Sequence, residues 1–175
     1  MKNLIVFTTM SLVLLLSLFS SQSQEFDATF LTRPGDPLPE FSVNMSDGKT
    51  MKSAELLGKV VLINFFATWC PPCNKELPHL EKEIWSKYKD NHSFTLLAIG
   101  RQHNIEEIKK FLTEKKLTLP MGADPDRSIY RQFATQTIPR NYLIGKDGKI
   151  IYQSQGFSEE EMGRLLDLIE ENLKK

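Results

Sequence analysis

The chain has 175 residues, of which 41% are hydrophobic and 25% are charged, and its 22 basic side chains balance 22 acidic ones. This length accommodates one domain with one hydrophobic core. A net charge of zero argues against the basic surface of a nucleic-acid-binding protein, so we expect no nucleic acid partner.

The N-terminus has the features of a secretory signal peptide. Lys2 precedes an apolar run over residues 4–19, which is shorter than the roughly 20 residues that a membrane-spanning helix needs. Ser21 and Ser23 supply the small residues expected before a cleavage site. We therefore predict a signal peptide over residues 1–23 and an extracytoplasmic protein, periplasmic where the cell has an outer membrane. Contact with the membrane is expected only through this segment, if it stays uncleaved.

Beyond the signal peptide, residues 24–33 are predicted to be a flexible tether and residues 34–175 one folded domain. Hydrophobic periodicity then predicts the elements in chain order. They are a hairpin that starts at 41–45 and turns at 46–49, a short helix capped by Ser53, a strand at 59–66 that is buried on both faces, a helix kinked by Pro78, and a strand at 94–99. A helix capped by Asn104 and Glu107 follows, then a strand at 119–122, a helix that starts at Asp124 and Pro125, a hairpin of 141–144 with 149–153, and a last helix with Ser158 and Glu161 as its capping box. This order predicts an α/β fold with a mixed sheet and helices on both faces.

The only two cysteines of the chain, Cys70 and Cys73, stand where the strand at 59–66 ends and a helix begins. Free N–H groups and the helix dipole stabilise a thiolate at such a position. A disulfide that closes so short a loop removes little entropy from the unfolded chain, so the pair is poorly suited to stabilising the fold. We expect it to cycle between dithiol and disulfide.

A Cys-x-x-Cys spacing alone also fits zinc binding or haem attachment. Zinc normally needs four ligands, and the chain has no second cysteine pair. Covalent haem needs a histidine after the second cysteine, where this chain has Asn74. Redox chemistry is therefore favoured, and we expect neither a metal nor a cofactor. Farther along, Pro139 heads a strand, where either a cis or a trans peptide bond is possible.

Several motifs together resemble the thioredoxin superfamily. Trp69-Cys70-Pro71-Pro72-Cys73 ends the first central strand, and Ile138-Pro139 stands ahead of the last hairpin, where that family keeps a cis-proline beside its disulfide. The leading segment at 35–41, the Glu76-Leu77-Pro78 run and the long separation of Cys73 from Pro139 are similar to the TlpA/ResA-like thiol–disulfide oxidoreductases. The resemblance covers about residues 34–172. It implies a thioredoxin-like sheet with an N-terminal β-hairpin and a central helix–strand insertion.

The resemblance also implies roles for individual residues. Cys70, exposed at the helix start, would attack a partner disulfide, and the more buried Cys73 would resolve the mixed disulfide. Trp69 would shield the pair, while Ile138 and Pro139 would present backbone to the partner. Glu76 would move the proton that accompanies exchange. The alternative for Glu76 is a solvated acid in the first helical turn, where it favours the helix dipole.

The chain departs from the family pattern in two places. Asn64 replaces the buried aspartate of minimal thioredoxins, which shifts proton transfer toward Glu76. Arg140 follows Pro139, where the family often has a small threonine. In one interpretation its charge stabilises the Cys70 thiolate or selects acidic partners. In the other it is a surface arginine that points away from the site. Arg101 and His103 follow the second buried strand, at a loop that could lie near the site, although a plain polar surface position is the simpler expectation for the histidine.

The resemblance predicts an exported enzyme that reduces disulfides in other exported proteins and draws electrons from a membrane or extracytoplasmic donor. Pro71 and Pro72 supply neither N–H groups nor charge to stabilise a thiolate strongly, which favours a reductant over a strong oxidant. One alternative is a peroxiredoxin-like thiol peroxidase, but the Pro-x-x-x-Thr-x-x-Cys motif of that class is absent. A second is a copper-binding chaperone, which usually has wider cysteine spacing. A third is a tryparedoxin-like carrier, which the signal peptide argues against.

Overall fold

The computed structural model describes residues 27–175, so the predicted signal peptide lies outside the described residues. The strands are β1 (Ser42–Met45), β2 (Thr50–Lys52), β3 (Val60–Phe66), β4 (Phe94–Arg101), β5 (Met121–Asp124), β6 (Arg140–Ile144) and β7 (Ile150–Gln155). The α-helices are α1 (Pro71–His79), α2 (Ser86–Tyr88), α3 (Ile105–Lys115), α4 (Tyr130–Phe133) and α5 (Glu159–Leu173). A 3₁₀ helix covers Ser53–Leu56, and a π-helical stretch, Leu80–Trp85, joins α1 to α2.

The strands of this part of the chain form one mixed sheet in the order β2-β1-β5-β4-β3-β6-β7. β3, β4 and β5 are parallel, whereas β6 and β7 add to β3 in antiparallel fashion and the β1–β2 hairpin adds to β5. The predicted N-terminal hairpin and the inserted helix–strand pair, α3 and β5, are both present. The fold class predicted from the sequence is confirmed.

The sheet separates two hydrophobic cores. On one face α1, α3 and α5 cover Leu62, Phe66 and the two cysteines. On the other face α4 and the 3₁₀ helix cover an aromatic core that contains Phe65, Phe133 and Tyr142. Because side chains alternate along a strand, the residues of β3 and β6 are divided between these two cores.

Residues 27–33, expected to belong to a flexible tether, pack against the domain instead. The Phe30 ring lies 6.1 Å from that of Tyr142 in an edge-to-face contact. The backbone N–H of Leu31 donates to Phe133, and Phe30 forms an isolated β-bridge with Ala134. An aromatic side chain that can be buried beside an aromatic core explains why this segment is held.

Three local predictions need correction. Ser53 does not cap the 3₁₀ helix but lies within it, and its hydroxyl accepts a hydrogen bond from the N–H of Phe41. Asp124 is the last residue of β5, and its carboxylate accepts from the N–H groups of Ile129 and Tyr130, so the helix begins later than expected. The Ser158 hydroxyl caps α5 as predicted, but the Glu161 carboxylate accepts from the Tyr152 hydroxyl rather than completing a capping box.

The helix after the cysteines is irregular after Pro78, as a residue without an N–H requires. The irregularity takes the form of the π-helical stretch that begins at Leu80. Leu80 and Ile84 still point into the core that holds the cysteines. Among residues 27–175, no helix combines the length and the apolar character needed to cross a membrane.

Candidate active site

Cys70 and Cys73 form a disulfide at the junction of β3 and α1. Cys70 is the N-cap of α1, and its Sγ accepts a hydrogen bond from the N–H of Cys73 at 3.3 Å. Cys70 was expected to be exposed, but it is only 3% exposed in this oxidised state, while Cys73 is completely buried. The order of exposure still leaves Cys70 as the sulfur that a partner can reach first.

The Ile138–Pro139 loop lies against this disulfide. The peptide bond is cis, and the carbonyl oxygen of Ile138 is 3.8 Å from the Sγ of Cys70. The hydroxyl of Tyr130 holds the loop by donating to the carbonyl of Thr137 at 2.6 Å. The structure therefore brings together the two motifs that the sequence singled out separately, since the contacting residues, Cys70 and Ile138, are 68 positions apart.

Trp69 is one of the few large hydrophobic side chains exposed in the described part of the chain, with 59% of its surface accessible. It directly precedes Cys70, so its ring stands at the rim of the site. The guanidinium of Arg101, at the end of β4, lies 5.7 Å from the centre of this ring. Arg101 therefore reaches the site, as its loop position suggested.

Glu76 is buried in α1, three residues after Cys73, with 1% of its surface exposed. The side-chain amide of Asn64 donates to Oε2 at 2.8 Å, and that of Asn141 donates to Oε1 at 2.6 Å. Asn64 also donates to the Oδ1 of Asn141, which ties the three side chains into one network. The alternative for Glu76, a solvated acid in the first helical turn, is wrong.

The environment of Glu76 favours its neutral form. Burial raises the pKa of Glu76 from 4.5 to about 7, and the negative charge of Glu161 adds to this rise. The hydrogen bonds from Asn141 and Asn64 oppose it, because they favour the ionised carboxylate. The site thus holds a carboxyl group that can exchange a proton near neutral pH.

Asn141 is a site residue that the sequence reasoning missed. It lies directly opposite Asn64 in the antiparallel pair of β3 and β6. Its position two residues after Pro139 could have indicated a site residue only once this register was known. The sequence assigned Asn141 to a strand, and nothing in the local sequence showed which residue would lie opposite it.

Arg140 takes neither of its two expected positions. Its register partner is Phe65, so it points to the face of the sheet opposite the cysteines, and its side chain is completely buried. The guanidinium donates to the carbonyls of Gln136 and Thr137 and lies 4.0 Å from the centre of the Phe30 ring. A buried side chain held by these bonds cannot bind a partner, so its contribution is to fasten the Pro139 loop and the N-terminal segment.

His103, expected to be a surface residue, is buried beside the loop that leads to the cysteines. Its Nε2 accepts a hydrogen bond from the N–H of Thr68 at 3.0 Å, while its Nδ1 faces the carboxylate of Glu107 at 3.4 Å. Asn74 fixes the same loop by donating to the carbonyls of Thr68 and Cys70. These contacts position the backbone just before Cys70.

Comparison with known proteins gives consistent matches. The AhpC/TSA family model matches residues 34–153. Thiol-disulfide oxidoreductase ResA of Bacillus thuringiensis subsp. konkukian is 32% identical over 141 residues, which are 81% of this chain and 77% of ResA. Among solved structures, a proposed protein disulfide isomerase from Bacteroides thetaiotaomicron has a TM-score of 0.81 at 38% identity, with 84% of this chain and 94% of that chain covered. A thiol:disulfide interchange protein of the thioredoxin family from Chlorobium tepidum has a TM-score of 0.68 at 26% identity, with 81% and 98% covered.

Proposed function

The chain belongs to the AhpC/TSA family and is a thioredoxin-fold thiol–disulfide oxidoreductase, and from this premise we propose that it is an exported reductant of disulfides in other exported proteins. The observation that carries the proposal is the Cys70–Cys73 disulfide, closed at a helix N-terminus and flanked by the Pro139 loop. The apolar run and small residues of the N-terminus support export.

The proposed reaction transfers two electrons and two protons. In the reduced protein, the thiolate of Cys70 attacks one sulfur of the substrate disulfide, so a mixed disulfide forms and the first substrate thiolate leaves and takes up a proton. The thiolate of Cys73 then attacks the Sγ of Cys70, which closes the Cys70–Cys73 disulfide and releases the second substrate thiolate, also to be protonated. An extracytoplasmic or membrane dithiol donor must reduce the protein again.

Glu76 is proposed to handle the proton of Cys73 in the second step. It lies one helical turn after Cys73, is shielded from water, and has a pKa of about 7. A carboxylate with such a pKa accepts a proton from a thiol and returns it without a large energetic penalty in either direction. Trp69, which is exposed, and the half-buried Ile138 form the surface that a substrate meets first, and the buried Pro139 directly follows Ile138.

Trapping of mixed disulfides tests these roles. Cys73→Ser should accumulate a mixed disulfide with a disulfide-containing protein through Cys70, because the resolving thiol is absent. Cys70→Ser should trap almost nothing, because Cys73 is completely buried. The species are counted by non-reducing electrophoresis and mass spectrometry. Equal trapping by both variants would contradict the assigned roles.

The same preparations separate the alternative functions. Wild-type protein that consumes hydrogen peroxide but leaves protein disulfides intact would indicate the thiol peroxidase. Tight, stoichiometric copper binding by the reduced protein without disulfide reduction would indicate the copper chaperone. We expect disulfide reduction with neither.

A further inference from the structure

The rim of the site carries an arginine that has no acidic partner in the part of the chain that the structure describes. Arg101 ends β4, and its guanidinium lies 5.7 Å from the ring centre of Trp69 and 5.0 Å from that of Tyr130. Within residues 27–175, no carboxylate lies at ion-pair distance from it. Its Nε is buried and has no hydrogen-bond partner there. Arg101 is therefore a half-buried positive charge with unused donors beside the Trp69 ring.

A second arginine extends the positive charge. The guanidinium of Arg127 lies 5.4 Å from the same Tyr130 ring, and its Nη2 donates to the carbonyl of Thr135 at 3.0 Å. Arg127 also has no ion pair among the described residues. We call Arg101, Arg127, Trp69 and Tyr130 the arginine patch.

The arginine patch adjoins the surface that a substrate meets through Trp69, whereas the completely buried Tyr130 reaches the site through its hydroxyl. Tyr130 donates to the carbonyl of Thr137, immediately before Ile138 and Pro139, and Trp69 immediately precedes Cys70. A disulfide that approaches Cys70 across the exposed Trp69 ring therefore passes the Arg101 guanidinium. Because two aromatic rings already hold this guanidinium, it loses little side-chain freedom when it binds an anion.

We propose that the arginine patch selects substrates that carry carboxylates close to the disulfide, with Arg101 as the principal specificity-determining residue. The proposal rests on the proposed function, since it concerns the substrate of the same cysteines. A guanidinium donates charge-assisted hydrogen bonds to a carboxylate, whereas a cationic group at that place is repelled. Selection by charge requires no new pocket, only the free donors already present.

Three small aliphatic disulfides test this proposal: dithiodipropionate, which is anionic; hydroxyethyl disulfide, which is neutral; and cystamine, which is cationic. The measurement is the second-order rate constant for oxidation of the reduced protein by each compound. Each variant is compared with wild type on the same disulfide, so the intrinsic reactivity of the compound cancels.

Arg101→Met should lower the ratio of the dithiodipropionate to the cystamine rate constant about threefold to tenfold at low ionic strength, as loss of a partly exposed charge predicts. The change should shrink at about 0.5 M salt, because dissolved ions then shorten the range of the electrostatic interaction. Arg101→Lys should keep most of the ratio. Arg127→Gln leaves the Trp69 contact intact and should move the ratio in the same direction by less, so the test does not depend on one variant.

Lys149→Gln is the matched control for charge. Lys149 lies in the exposed turn between β6 and β7, at the end of the sheet opposite Pro139, and its loss should leave the ratio unchanged. An equal loss on all three disulfides in Arg101→Met would show that Arg101 only supports the Trp69 ring, and would overturn the proposal. Wild-type protein that reduces none of them would overturn the proposed function, and this inference with it.

Discussion

At the scale of single residues, Glu76 illustrates how a polar group is kept in a hydrophobic core. An ionised carboxylate is costly to bury unless hydrogen bonds satisfy it. Here two amides donate to its two oxygens, one from each of two paired strands. They lower the pKa of Glu76 against the larger effect of burial, and the pKa that results is about 7. The asparagine pair therefore keeps the carboxyl group usable as both acid and base.

Glu76→Gln should slow disulfide reduction by about 100-fold where proton transfer limits the rate, and by less where water substitutes. Glutamine keeps the shape of the side chain but cannot move a proton. The dependence of the rate on pH should lose its inflection near 7, the pKa of Glu76. The measurement is the rate of disulfide reduction from about pH 5 to about pH 9.

Glu171→Gln is the control for this substitution, because Glu171 is an exposed acid on α5 that pairs with Lys175. It should leave the profile unchanged. If the Glu76→Gln and wild-type profiles coincide, the proton is transferred by another route.

At the scale of elements, the inserted strand β5 depends on a glycine where it pairs with β1. Gly122 lies opposite Met45, and a Cβ at Gly122 would overlap the Cγ2 of Val43 and come within 3.3 Å of the backbone oxygen of Asn44. Val43 is β-branched and its rotamer is restricted, so it cannot easily move aside. The close approach of the N-terminal hairpin to the inserted strand thus requires a residue without a side chain.

Gly122→Ala should lower the free energy of unfolding by about 1–3 kcal/mol through overpacking. Gly163→Ala is the matched control. Nothing lies within 4 Å of a Cβ at Gly163, which is exposed in α5, so alanine there should stabilise the protein by up to about 1 kcal/mol through helix propensity. Chemical denaturation of the oxidised proteins measures both values. Equal effects of the two substitutions would show that the β1–β5 contact can relax.

Elements with strong local patterns were predictable from the sequence. The continuous apolar run of β3 and the capping box of Asn104 and Glu107 at the start of α3 are both present in the structure. The strand predicted at 119–122 was displaced by two residues, because Leu119 is buried outside the sheet while Asp124 completes β5. The carboxylate of Asp124 accepts hydrogen bonds from the N-cap and the first residue of α4, five and six residues later, which its position beside Pro125 did not reveal.

The site was predictable only in part, because half of it depends on strand register. The cysteines and Pro139 carry their own sequence motifs. The contact between Asn64 and Asn141 joins residues 77 positions apart, and only the alignment of β3 with β6 creates it. The same register turns Arg140 toward the opposite core, which no local pattern could indicate.

At the scale of the whole molecule, the chemistry of the site is linked to folding stability. Glu76 has a pKa of about 7 in the folded protein and an ordinary value of 4.5, so the folded state binds the proton more tightly than the unfolded state. The contribution of this group to stability is therefore complete below 4.5 and is lost as the pH rises through 7. The linkage relation sets the loss at about 3 kcal/mol.

The unfolding free energy of the oxidised wild-type protein should accordingly fall, relative to that of Glu76→Gln, between about pH 5 and about pH 8, with a difference approaching 3 kcal/mol. The comparison isolates Glu76, because other buried acids such as Asp124 and Glu161, whose pKa values burial also raises, are common to both proteins.

Glu171→Gln, measured in the same way, should follow the wild type across this range. Parallel curves for wild type and Glu76→Gln would mean that the carboxyl group is already ionised at acidic pH in the folded state. The hydrogen bonds from the asparagine pair would then cancel the whole rise in pKa that burial causes. A wild-type stability that falls relative to that of Glu76→Gln would instead show that the group proposed to move the proton of Cys73 costs the fold stability at neutral pH, in the range where the proposed reaction would use it.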